Sequence, residues 1–512
     1  MTVMSLSGGP SRLLHRLRPG HGSALSTWLT LAAATIAAVA AAASGLASLQ
    51  TTRTWVYIPL LAGVGLALGV LALTRFAAFV YLLLATRTVV DLFKLSASAA
   101  GNTATNSASA RGLDPSTLLG VLFLVAGMLW LAAQYRSRER VPMSRLGAAW
   151  LVLIAAGALS VLGATSPLVS LMGLLRMLAV AVMFLVLEQL LRDARSIRNV
   201  LTAAFLSLVF PLAYTLFGFL IGSPAADIKS SYTRITGPFN QSTTFARYLA
   251  FFLVFGVALL PYLRGKAKWL VVTALSLSSV FLMLTLTRGA LVAAVLGLLF
   301  VLVAQRRGKA VLALAAGGLV ALLLVPGLSS RLDAVTTEDA VGTGPTSNTL
   351  EWRFAYWAET LPLANRNPVN GIGVDMTQYQ TDVAKQPHND FLKAYVETGL
   401  VGLAAYLFLV WQLVSVGVKA VRRTAGNTLN RAVAIGYAAC AGMFVIESIA
   451  ANVISSVVIL WYLVTFAAVT PVIARIAPVT SFRRLVARAP SANWQPAAAA
   501  SSIDPATRPV EN

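Results

Sequence analysis

A single cysteine, Cys440, stands inside an apolar run, so neither a disulfide framework nor a C-x-x-C metal site can be built from this chain. Acids are scarce as well: 18 Asp and Glu face 40 Lys and Arg, and there are three histidines. Charged residues make up only 11% of the chain while hydrophobic ones make up 57%. No internal repeat stands out, which weakens a reading as a transporter built from inverted repeats. With so little polar surface to offer, 512 residues at a mean hydropathy of +0.76 exclude one soluble core.

What the chain does have is long apolar runs. About fourteen segments have the length needed to cross ~30 Å of hydrocarbon. They lie near 24–49, 55–73, 76–94, 114–134, 146–163, 168–190, 199–221, 243–263, 269–286, 289–305, 310–325, 400–418, 432–450 and 453–474. The expected fold is an all-α polytopic membrane protein of about 12–14 transmembrane helices, with a large external loop containing amphipathic helices. The apolar part of the first segment is longer than the core of a secretory signal, so it is read as a span.

The formal charge of +22 would suggest nucleic acid in a soluble protein, but here the basic residues cluster between spans. Every second loop is basic: Arg136 to Arg145, Arg192 to Arg198, Arg264 to Lys268, Arg306 to Lys309, Lys419 to Arg431, and Arg475 to Arg488. That is the positive-inside pattern, which excludes a nucleic-acid partner and places both termini in the cytoplasm. The expected organisation is a cytoplasmic segment 1–23, spans 24–325, an external loop 326–398, spans 400–475, and a cytoplasmic tail 476–512 that reads as disordered.

The same alternation gathers the chemistry on the other face. "QPHNDFLKAYVETGL" has Pro387 to break what precedes it, His388 or Asn389 to cap a helix from Asp390 to Thr398, and Gly399 to stop it. A histidine beside an apolar wall, with a pKa near neutrality, suits a general base. Arg288 in "LTRGA", Arg234 and Arg247 in "SSYTRITGPFNQSTTFARYLA", and Arg353 on an amphipathic segment with Trp352, Phe354 and Trp357 all fall on that face. Arginine presents a planar fork of donors that matches phosphate, so these residues read as an anion clamp beside a base. Inside the membrane, Arg87 and Asp91 are spaced as an i,i+4 ion pair, whereas Arg176 has no partner visible in the sequence.

These stretches resemble the O-antigen ligase and polymerase family. "PHNDFLKAYVETGLVG" is similar to its H-N-x-[FY]-L-x-x-x-x-E-x-G-x-x-G pattern at His388, Asn389, Phe391, Leu392, Glu397, Gly399 and Gly402. "LTRGA" resembles the family's S-R-G/T turn with Thr287 for the commoner serine. "RITGPFNQSTTFARYLA" resembles its R-x-x-G-x-F-x-N-x-N-x-x-A stretch, without the usual Pro-Asn after Asn240. "WRFAYWAETLPLANRNPVNGIGVDMTQY" is similar to the segment that ends in P-x-x-G-x-G.

The resemblance covers mainly Arg234 to Gly402. It implies transfer, at the outer face of the cytoplasmic membrane, from a polyprenyl-diphosphate-linked glycan to a sugar hydroxyl of a glycan or glycolipid acceptor. His388 is then the base and Arg288 and Arg234 hold the diphosphate, with Arg353, Arg247, Arg176 and Asn389 as further substrate-binding residues. No metal and no cofactor is required, because a charge-matched diphosphate leaves readily, and no D-x-D pair occurs on that face. Two other classes compete. A flippase or transporter for a lipid-linked or anionic sugar needs cations along a whole pathway. A receptor or scaffold leaves His388 unexplained.

Overall fold

The computed structural model describes residues 57–98, 115–137, 140–229, 232–324, 349–381, 385–426 and 428–476. The protein is an all-α polytopic membrane protein. Helices α1 (Tyr57–Thr74), α2 (Phe76–Ser98), α3 (Pro115–Arg136), α4 (Arg145–Val161) and α5 (Pro167–Leu190) come first. Then follow α6 (Ala194–Leu206), α7 (Val209–Leu220), a hairpin of β1 (Ala226–Lys229) and β2 (Tyr232–Ile235), α8 (Ser242–Leu259), α9 (Gly265–Leu284), α10 (Arg288–Ala304) and α11 (Gly308–Leu324). The last elements are α12 (Thr349–Arg366), the single turn α13 (Thr377–Gln380), α14 (Asp390–Arg423), α15 (Leu429–Ala450) and α16 (Val457–Arg475).

Among the described residues, 8 helices are long and apolar enough to cross a membrane, and four shorter apolar ones accompany them. Each predicted span within those residues is helical; the first, 24–49, lies outside them, as do 326–348 of the predicted loop and the tail beyond 476. Two predictions needed adjustment. The run near 199–221 begins earlier, at Ala194 behind the Asp193 capping box, and is interrupted at Ser207 and Leu208 between α6 and α7. Ser207 spends its hydroxyl on Ala204 O (2.6 Å) and Tyr248 Oη (2.7 Å), which stabilises the break. The short β-hairpin was not foreseen, although Ile228 in the first strand and Tyr232, Thr233 and Ile235 in the second are residue types that favour strands.

The centre of the bundle is α8, α15 and α16, flanked by α5 and α10. Burial follows composition: Phe252, Phe255, Tyr462 and Phe466 interlock here, with Phe255 and Phe466 stacked at 3.9 Å between centroids. Small residues set the closest approaches, such as Gly417 of α14 against Ala438 of α15. By contrast α9 leaves Trp269 and Leu270 exposed, as an element facing lipid does. The foreseen Arg87–Asp91 pair forms at 3.0 Å, buried, with the guanidinium over Trp461. It is a structural pair within the bundle.

The two ends of the bundle differ. At one end, Asn430 at the start of α15 donates to Ile473 O near the end of α16, Arg431 donates to Val421 O in the last turn of α14 and to Thr424 O just after it, and Gln305 after α10 donates to Ala258 O of α8. These are the basic loops. The opposite end holds the hairpin, the turn before Arg288, α12 and the histidine segment.

Candidate functional site

The site is framed by a crossing of two backbones. Gly399 interrupts α14 with φ +67° and ψ −167°, a conformation open to glycine alone, so the helix that starts at Asp390 stops where the sequence predicted and resumes at Leu400. An interrupted helix leaves carbonyls and amides without partners. The loop Pro368–Gly373 supplies them. Ile372 N donates to Val396 O (3.1 Å) and Gly373 N to Glu397 O (2.9 Å), while Leu400 N donates to Pro368 O (2.8 Å) and Val401 N to Val369 O (3.2 Å). A Cβ on Gly371 would overlap the backbone of Glu397, and one on Gly399 would overlap that of Val369. The glycines of P-x-x-G-x-G and of the histidine motif are therefore two halves of one contact.

His388 sits on the turn into this helix at φ +53°. Among the described residues four non-glycine residues have positive φ, and three of them, Leu286, Asp375 and His388, lie at this end of the bundle. Such strain persists only where surroundings enforce it. Asn389 caps the helix, its Oδ1 accepting from Phe391 N (2.9 Å) and Leu392 N (3.0 Å). Asp390, fully buried, accepts through Oδ2 from Val453 N (3.0 Å), Ile454 N (3.1 Å) and Tyr406 Oη (3.3 Å), pinning the turn to the α15–α16 connection. On the other side, Trp357 Nε1 donates to Pro387 O (2.6 Å) and the Tyr356 hydroxyl donates to Lys385 O. Trp357 thus does more than line a membrane interface, while Phe354 remains exposed as foreseen.

The arginines converge from separate elements. Arg234 on β2 donates from Nε to Thr285 O (2.9 Å) and from Nη2 to Thr287 Oγ1 (2.7 Å), bracing the turn that carries Arg288 into α10. Position 287 needs a hydroxyl there, which threonine provides as well as serine would. Arg353 on α12 is held below the usual arginine range by burial first, then by the charges of Arg288 and Arg247. His388 is held down to about 4 by burial first, then by Arg353, Arg247 and Lys385. The near-neutral value expected from the sequence is thus corrected downward: the imidazole is neutral at ordinary pH but a weaker base than a free histidine, and the cations around it favour an anion. Arg234, Arg288, Arg353 and His388 all lie at this end of the bundle: Arg353 faces the imidazole, Arg288 acts on Arg353, and Arg234 braces the turn before Arg288.

Arg247, Arg176 and Asn389 are also engaged with the protein. Arg247 of α8 forms a buried ion pair with Glu447 of α15, Nε to Oε2 at 2.6 Å. Asn389 spends its side-chain oxygen on the cap. Arg176 of α5, half-exposed, reaches Asp375 Oδ2 at 3.3 Å, a partner invisible from sequence because 199 positions separate the two. Asp375 in turn accepts from Lys393 Nζ (2.8 Å), which also donates to Glu397 Oε1 (3.0 Å). Glu397 closes the circuit by accepting from Asp375 N (2.8 Å) and Thr377 Oγ1 (2.9 Å). Sequence reasoning missed Asp375, Lys393, Tyr356 and Trp357 as parts of the site. The i,i+4 spacing of Lys393 and Glu397 was the signal available for one of these links.

Residues 273–407 match the family described as O-antigen ligase. The matched stretch contains Arg288, Arg353, His388 and the crossing at Gly399; Arg176, Arg234 and Arg247 precede it. No curated protein matches the chain.

Proposed function

We infer from the assignment of this chain to the O-antigen ligase family, through residues 273–407, that it is a membrane glycosyltransferase of the ligase or polymerase type. We propose that its donor is a polyprenyl-diphosphate-linked glycan and its acceptor a sugar hydroxyl of a glycan or glycolipid, in assembly of a cell-surface polysaccharide.

The observation that carries this reading is the cationic surround of a neutral His388, with Arg353, Arg247 and Lys385 facing the imidazole, Arg288 beside Arg353, and Arg234 bracing the turn that carries Arg288. In the proposed reaction the acceptor oxygen bonds to the anomeric carbon of the donor sugar as the bond from that carbon to the diphosphate oxygen breaks. The electron pair leaves with the polyprenyl diphosphate, whose charge the arginines match, and the acceptor proton passes to the imidazole of His388. Arg247, Arg176 and Asn389, each engaged with the protein, frame the site through Glu447, Asp375 and the helix cap.

The site end lies opposite the basic loops, which supports an external active site in the cytoplasmic membrane with cytoplasmic termini. A reporter at Ala225 should then be external and one at Gly308 or Thr424 cytoplasmic; the reverse pattern would defeat the orientation. The chemical reading is tested with purified protein, a polyprenyl-diphosphate glycan and an acceptor. His388→Ala should lose roughly 100- to 10,000-fold in turnover while still binding donor. Full turnover in that variant would remove the base.

A further inference from the structure

Two aromatic side chains of α12 reach across to the carbonyls beside His388 and have no part in the chemistry above. Trp357 Nε1 lies 2.6 Å from Pro387 O, one residue before the histidine, and the Tyr356 hydroxyl donates to Lys385 O, three residues before it. Tyr356 is fully buried and its hydroxyl also lies 2.9 Å from Thr381 Oγ1. Both bonds end on main chain that flanks a residue at φ +53°, where imidazole direction depends on a backbone turn that a non-glycine residue does not hold unaided. The indole N–H and phenol O–H are fixed donors on rigid rings, suited to setting such a turn.

Arg353 precedes Trp357 by four residues on the same helix, so both stand on one face of α12. The face that touches the histidine segment thus also carries one of the cations gathered around the imidazole. Charged groups facing the histidine are Arg353 from α12, Arg247 from α8 and Lys385 from its own segment.

We propose that Trp357 and Tyr356 are positioning residues for His388, and that α12 couples the cationic face receiving the donor to the orientation of the base. This rests on the glycosyltransferase reading. Trp357→Phe removes the indole donor and keeps a ring against Phe354, now edge to face at 5.3 Å. Tyr356→Phe removes only the hydroxyl.

With full-length protein in nanodiscs and a polyprenyl-diphosphate glycan as probe, each variant should lose roughly 10- to 100-fold in kcat, the scale of a misplaced catalytic group. Donor affinity should stay at the wild-type value, and the acid limb of the pH profile should move because the imidazole environment changes. Full rate in both phenylalanine variants overturns the proposal, as does a loss of donor affinity in proportion to rate. His388→Ala separates the two levels. If that variant turns over normally the base itself is wrong; if it is inactive while the phenylalanine variants run at full rate, only the positioning is wrong.

Discussion

Replacing Gly399 by alanine tests the backbone crossing that frames the site. The residue holds φ +67° and ψ −167°, and a Cβ there would overlap Val369 O and stand 2.5 Å from Asn370 N, both of them backbone rather than a yielding side chain. Relief requires either a change of the backbone angles or retreat of the Pro368–Gly373 loop. The first costs on the order of 1–3 kcal/mol for a non-glycine residue in such a region. The second breaks the four hydrogen bonds between the loop and residues 396–401, at about 0.5–1.5 kcal/mol each. By either route the local loss is roughly 1–6 kcal/mol, enough to loosen the helix that begins at Asp390. Thermal unfolding of the detergent-solubilised protein should shift downward, and turnover should fall even in the fraction that remains folded. Gly371→Ala, which meets Glu397 from the opposite side, should give the same phenotype. Wild-type unfolding temperature and wild-type turnover in Gly399→Ala would refute the crossing as a structural requirement.

Arg288→Lys should lose donor binding almost as severely as Arg288→Ala, since lysine keeps charge but not the planar fork; near-normal polysaccharide in cells expressing the lysine variant would recast Arg288 as a headgroup anchor. Lys393→Met leaves Asp375 and Glu397 buried without their shared cation and should destabilise by about 3–5 kcal/mol, with partial recovery in Asp375→Asn/Lys393→Met, both read by thermal unfolding. Because the folded His388 sits near 4 and an unfolded histidine near 6.5, the unfolded chain binds the proton first as pH falls. Stability should therefore drop between about 6.5 and 4 by more in the wild type than in His388→Gln, and the acid limb of kcat/KM, which reports the free enzyme, should lie near the lower value. An acid limb at the ordinary histidine value would show the imidazole to be solvated and remote from the arginines.

Much of the architecture was legible because a bilayer leaves a chain few choices. Apolar runs of spanning length must be helices that satisfy their own backbone, and basic residues between them mark one side, so segment positions and the two-faced distribution of charge follow from composition and spacing. The break at Gly399 was legible too, a local property of glycine, and the cap was narrowed to His388 or Asn389, of which the structure selects Asn389. The interruption between α6 and α7 was not, because Ser207 finds Tyr248 only after α8 packs beside it. The partners of the charged residues were hidden for the same reason: Arg176 and Asp375, Arg247 and Glu447, and Arg234 and the Thr285–Thr287 turn are distant in sequence.

By itself the sequence determined the class of protein, the helices, the arginine-rich face and the motif histidine. Only the tertiary structure decided which cations face the imidazole, Arg353, Arg247 and Lys385, and that Arg247 and Arg176 are also tied to Glu447 and Asp375, since these partners come within reach only when separate elements pack together. It also decided why the glycines of two separate motifs are required. Each leaves room for the other's backbone, a condition that exists only once the loop and the interrupted helix lie against each other.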